Sequence, residues 1–135
     1  MSEEQLHKHI CEYIKMQYPR VIFNTDMSGI SLTMGQAMKV PKLRSSNGFP
    51  DIVIYEQNKE FNALFLEIKA KSPYQQNGEF YSMKRYEVVN GIKVSYDHLQ
   101  QQNNMHIELR KRGYKAEFVW TFEQAKDMID TYLKL

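Results

Sequence analysis

Three side chains have the types and spacing that metal-assisted phosphodiester hydrolysis requires. Asp51 closes the string Gly48-Phe49-Pro50-Asp51, and Glu67 and Lys69 sit two apart in Leu66-Glu67-Ile68-Lys69. Mg²⁺ takes hard oxygen ligands, usually one or two carboxylates, with water and substrate phosphate completing its shell. Asp51, Glu67 and the backbone carbonyl of Ile68 are the candidate ligands. Lys69 would place a positive charge beside the scissile phosphate and help to orient or deprotonate the attacking water.

The runs carrying these residues, Asp51–Tyr55 and Ala63–Lys69, read as short strands. Side chains alternate across a strand, so Glu67 and Lys69 share one face while Leu64, Leu66 and Ile68 take the other. A charged pair on an otherwise apolar strand is costly without compensation, and a cation with a phosphodiester would compensate it. The short polar turn Glu56–Glu60 suits an antiparallel hairpin, which would bring Asp51 and Glu67 side by side at one end of a small sheet.

The other elements must position that pair. A first helix is expected from Glu3 to Tyr18, with Ser2 and Gln5 as a capping box and Pro19 ending it. Its stripe of Leu6, Ile10, Tyr13, Ile14 and Tyr18 places Glu3 on the inward face. Glu3 is thus a candidate acidic residue aimed at the active centre, although a carboxylate there also favours the helix dipole. Val21–Asn24 reads as an edge strand. The stretch from Asp26 to Phe49 has no clear period and carries Lys39, Lys42 and Arg44. It leads directly into Asp51, which suggests a DNA-facing loop.

Phe80–Tyr96 reads as a β-hairpin projecting from the core, with Asn90-Gly91 as its turn. Its Tyr81, Tyr86 and Tyr96 interleave with Lys84, Arg85 and Lys93, a pattern that could touch DNA but is more often simple cross-strand packing. A helix is expected from His98 to Arg112, capped by Asp97 and stopped by Gly113. Its inward stripe is Leu99, Gln102, His106 and Leu109, and a buried Gln102 needs a polar partner. Ala116–Trp120 reads as a strand. Thr121 and Gln124 start a last helix that buries Phe122, Ala125, Ile129, Tyr132 and Leu133. The order α-β-β-β, hairpin, α-β-α predicts an α/β fold, a mixed sheet flanked by helices.

At 135 residues the chain is expected to form a single domain spanning 1–135, with about 74–97 as an insertion. A net charge of +2 means that any nucleic-acid footprint must come from local clusters, here Lys39, Lys42, Arg44 and Lys71. One cysteine, Cys11, excludes an internal disulfide. No membrane span or signal-peptide pattern is seen, so a cytoplasmic protein is expected. His7, His98 and His106 are scattered and lack cysteine partners, so they read as packed or surface residues rather than a zinc site.

Taken together, Glu3 with Leu6-His7, Gly48-Phe-Pro-Asp51-Ile-Val-Ile, Leu66-Glu-Ile-Lys69, Gln102 ahead of Gly113-Tyr114 and the closing Phe122-Glu-Gln-Ala125 helix resemble the virus-type replication-repair nuclease (VRR-NUC) domain. That domain belongs to the PD-(D/E)xK nuclease superfamily. The resemblance implies a restriction-endonuclease-like core and Mg²⁺- or Mn²⁺-dependent cleavage of DNA. Glu3, Asp51 and Glu67 would be the acidic site residues, Lys69 the catalytic lysine and Gln102 a supporting polar group. It also implies a homodimer acting on branched or structured DNA. The hairpin departs from the family's usual short link, and the run Gln100-Gln101-Gln102 leaves open which glutamine serves the site. The rival reading is a non-catalytic DNA-binding or dimerisation module on the same fold.

Overall fold

The computed structural model describes residues 1–26 and 48–135. Lys39, Lys42, Arg44 and the rest of the loop expected to face DNA therefore lie outside the described residues. Helix α1 spans Glu3–Gln17. The Ser2 side chain accepts from the Gln5 backbone, and the Gln5 side chain accepts from the Ser2 N–H at 2.9 Å, so both halves of the capping box form. Strands β1 (Phe23–Thr25), β2 (Ile52–Ile54) and β3 (Leu64–Ile68) follow. The ribbon β4 (Lys84–Val89) and β5 (Ile92–Asp97) comes next, then helix α2 (His98–Lys111), β6 (Lys115–Val119) and α3 (Phe122–Lys134).

The main sheet runs β1-β2-β3-β6, antiparallel through β1, β2 and β3, with β6 parallel to β3. Two like-directed neighbours cannot be joined by a tight turn, so the chain between β3 and β6 must cross over the sheet. That crossover contains the ribbon and α2. The turn from β2 to β3 is tied by Asn58, whose side-chain oxygen accepts from the N–H groups of Glu60 and Phe61 at 2.9 and 2.7 Å.

Strand alternation divides the sheet into two faces. Ile52, Ile54, Leu64, Leu66, Ile68 and Val119 pack with Leu6, Ile10 and Ile14 of α1 and Ala125, Ile129 and Tyr132 of α3 in one core. Glu67 and Phe118, paired across β3 and β6, lie on the opposite face beneath Gln102 and His106 of α2. Phe122 and Leu133, expected inside, are partly buried against the core's rim.

The hairpin is shorter than its sequence suggested. It begins at Lys84, because Phe80 stacks instead on Tyr74 at 4.8 Å and packs against Phe118 of β6. Asn90 (φ 52°) and Gly91 (φ 78°) both take the left-handed conformation that a two-residue turn needs to match strand twist. The expected cross-strand aromatic packing is absent. Tyr86 faces Ser95, Tyr96 faces Arg85, and no aromatic pair spans the ribbon among the described residues.

Candidate active site

Continuing the β2–β3 register by one residue from Ile52 opposite Leu66 puts Asp51 opposite Glu67. The two carboxylates therefore lie on the α2 side, at the end of the sheet. Asp51 is 9% exposed and Glu67 3%, so both sit where ionisation is expensive. One oxygen of Asp51 accepts from the Ile68 N–H at 2.8 Å. This bond pins the carboxylate to the strand that carries Glu67.

Gln102 supplies the partner that its buried position demanded. Its side-chain amide donates to Oε1 of Glu67. Gln100 instead bonds Asn104 on the exposed surface, and Gln101 lies against Gly48, so of the three glutamines it is Gln102 that meets Glu67. Gly48 has a structural reason to be glycine. Its φ is +86°, and a Cβ there would stand 3.1 Å from the Gln101 carbonyl oxygen. The chain entering β2 thus lies directly against α2, which closes the distance between Asp51 and the helix bearing Gln102.

Lys69 is 6% exposed, and its ammonium reaches Oε1 of Glu67 at 3.9 Å, the far limit of an ion pair. Oε2 of Glu67 and the side-chain oxygen of Gln102 are buried without hydrogen-bond partners. Burial pushes the Asp51 carboxyl up to about 6, against the Ile68 hydrogen bond and the Lys69 charge, which pull it down, and the Glu3 charge adds to the rise. Burial also raises Glu67 well above the usual carboxylate range, and the neighbouring Asp51 charge pushes the same way. Two acids held this close at the end of a sheet bind protons more readily than ordinary carboxylates.

Glu3 lies on the stripe of Leu6 and Ile10 and is exposed at the start of α1. Its charge raises both Asp51 and Glu67, so it stands within electrostatic reach of the pair. Among the described residues no three His, Cys, Asp or Glu side chains converge as a ready-made cage. Two carboxylates and an unpartnered buried oxygen still match an ion that keeps most of its waters. The donors are hard oxygens, so the residues fit Mg²⁺ or Mn²⁺ and not a soft metal. Lys71 is exposed, with its ammonium 5.7 Å from the centre of the Tyr81 ring.

The histidines form no cluster. His7 contacts the Thr25 hydroxyl at 2.5 Å. His106 is fully buried with both ring nitrogens unpartnered, and burial lowers it to about 3, so its ring is neutral. Sequence reasoning missed the role of Gly48, although a glycine just before Phe-Pro-Asp was its available signal.

No protein-family model matches the chain, and no curated protein matches it significantly. Among solved structures, one titled "VRR_NUC domain protein" is similar, with a TM-score of 0.61 and 15% sequence identity, covering 99% of this chain and 89% of that one. At that identity the likeness is one of fold: an α/β architecture with a mixed sheet, of the restriction-endonuclease-like kind. None of the helices described is long and apolar enough to cross a membrane.

Proposed function

We propose that this chain is a metal-dependent DNA endonuclease that hydrolyses phosphodiester bonds in branched, flap or junction DNA. The observation that carries the reading is the buried pair Asp51 and Glu67, with Lys69 beside it and one Glu67 oxygen left without a partner. Such an arrangement is costly in a resting protein and useful when a cation and a phosphate arrive.

Asp51 and Glu67, with the Ile68 carbonyl and Glu3 at the margin, would hold Mg²⁺ or Mn²⁺. When bound, the ion would polarise the phosphate and lower the pKa of a water. Gln102 holds one oxygen of Glu67, which leaves the other free to face the ion. Lys69 stands over the same carboxylate, where its ammonium would stabilise charge developing on the phosphate and steer the attacking water. Lys39, Lys42, Arg44 and Lys71 would contact phosphates along the DNA and set its register without reading sequence. Cutting a branched substrate symmetrically requires two sites related by a two-fold axis, hence a homodimer.

Cleavage assays on duplex, flap, splayed and four-way DNA, with Mg²⁺, Mn²⁺ or EDTA, test the reading. The expected result is metal-dependent cleavage of a branched substrate that Glu67→Ala abolishes while DNA binding persists. Wild-type cleavage by Glu67→Ala, in a preparation free of contaminating nuclease, would overturn the assignment.

A further inference from the structure

The β4–β5 ribbon stands apart from the main sheet and has two unlike faces. Pairing of Lys84 with Asp97, Tyr86 with Ser95 and Val88 with Lys93 places these six residues on one side. Six residues per strand make the ribbon about 20 Å long. Tyr86 is 56% exposed and Val88 72%. The Lys84 and Lys93 ammoniums lie 5.6 and 4.6 Å from the centre of the Tyr86 ring. Neither lysine has a carboxylate partner among the described residues, so each rests on the ring instead. The one acid on this face, Asp97, is at the root, where it accepts from the N–H groups of Gln100 and Met83.

That root ties the ribbon to the candidate site. Asp97 ends β5 and is also the N-cap of α2, and the His98 N–H donates to the Met83 carbonyl at 2.7 Å. Gln102 follows five residues later, about 8 Å along the helix axis. The root of the ribbon therefore stands about one and a half helical turns from the residue that holds Glu67.

We infer that the Lys84–Tyr86–Lys93 face binds unpaired nucleotides of a nucleic-acid strand, with a base on Tyr86 and flanking phosphates on the two lysines. The inference rests on the nuclease reading for its purpose but not for its chemistry. A ligand matched to this face must be anionic, to pair with uncompensated lysines, and must offer flat apolar rings to an exposed aromatic and a neighbouring valine. Nucleotides offer both. Exposed ammonium–ring contacts are weak, so phosphate oxygens can draw the lysines away and free the ring for stacking. Only an unstacked base presents its flat face, which selects unpaired nucleotides over duplex.

The test uses the full chain carrying Glu67→Gln, which separates binding from cleavage. Fluorescence anisotropy with a labelled oligothymidine and a duplex of equal length compares it with the same protein carrying Tyr86→Ser or Lys84→Gln/Lys93→Gln. The expected result is about a tenfold loss of oligothymidine affinity for Tyr86→Ser, with duplex affinity unchanged within twofold. Circular dichroism confirms that these surface variants fold. Equal oligothymidine affinity with and without Tyr86 would overturn the inference. So would an equal loss on duplex, which would mean groove binding, or a change in sedimentation without a change in binding, which would make this face a contact between copies. Cleavage by the wild-type protein with no effect of Tyr86 would sink this inference alone. Tyr86-dependent binding in a protein that never cleaves would sink only the nuclease reading.

Discussion

Replacing Asp51 with asparagine is expected to stabilise the protein, and the gain can be worked from the site. The Asp51 carboxyl is pushed from 3.8 to about 6, mainly by burial. A group whose folded pKa is raised prefers its protonated form in the native state. Its cost is absent below the unfolded value and accumulates as pH rises through the folded one. At 1.36 kcal/mol per unit, the rise amounts to about 3 kcal/mol of stability missing at pH 8. Asparagine keeps an oxygen for the Ile68 N–H and carries no charge to bury. Asp51→Asn should therefore melt roughly 10 °C above the wild type at pH 8 for a chain of this size, and the gap should close below pH 4. Mg²⁺ should raise the wild-type melting temperature at pH 8 and leave that of the variant nearly unmoved, because the cation offsets the same buried charge. Thermal unfolding by circular dichroism from pH 3.5 to 8, with and without Mg²⁺, reads all of this. A variant that is less stable at pH 8, or a gap that does not shrink as pH falls, would refute the account of Asp51 as a costly buried carboxylate.

Lys69→Ala should slow the chemical step on the order of a hundredfold while changing metal affinity little, because its charge acts as the transition state forms. Single-turnover kinetics with calorimetric Mg²⁺ titration would show this, and equal losses in both would make Lys69 structural. Gln102→Leu should destabilise by about 1–3 kcal/mol by stripping Glu67 of its hydrogen bond, whereas Gln100→Ala should fall within about 0.5 kcal/mol of wild type. Matching effects of the two in denaturant melts would undo the choice of Gln102. Sedimentation equilibrium should find a homodimer that persists in Tyr86→Ser, and a monomer at every concentration would remove the two-fold arrangement.

Much of this molecule is local and therefore legible in the chain. Alternation on β3 placed Glu67 opposite the core side of Leu64, Leu66 and Ile68, because a strand has only two faces. The α2 stripe of Leu99, Gln102, His106 and Leu109 is buried as helical periodicity requires. Asp97, Ser2 and the Asn90-Gly91 turn act through neighbours a few residues away, so their residue types suffice. What the chain could not specify depends on contacts remote in sequence. Gln102 meets Glu67 across 35 positions; periodicity turns Gln102 inward, but that its partner is Glu67 follows only from the approach of α2 to the sheet. Gly48 is needed because α2 passes within contact distance; its place before Phe-Pro-Asp hints at a special position but does not name the neighbour. Glu3 shares the periodicity of buried residues yet ends exposed, since a helix stripe gives a direction and not the length of the sheet beneath it. Tyr86 reads as a packing residue or a DNA contact until strand register sets Ser95 opposite and leaves its ring to two lysines. The spacing of side chains along one element follows from backbone geometry. Which elements meet, and how far each reaches, follows from burying the apolar faces together, a property of the assembled chain.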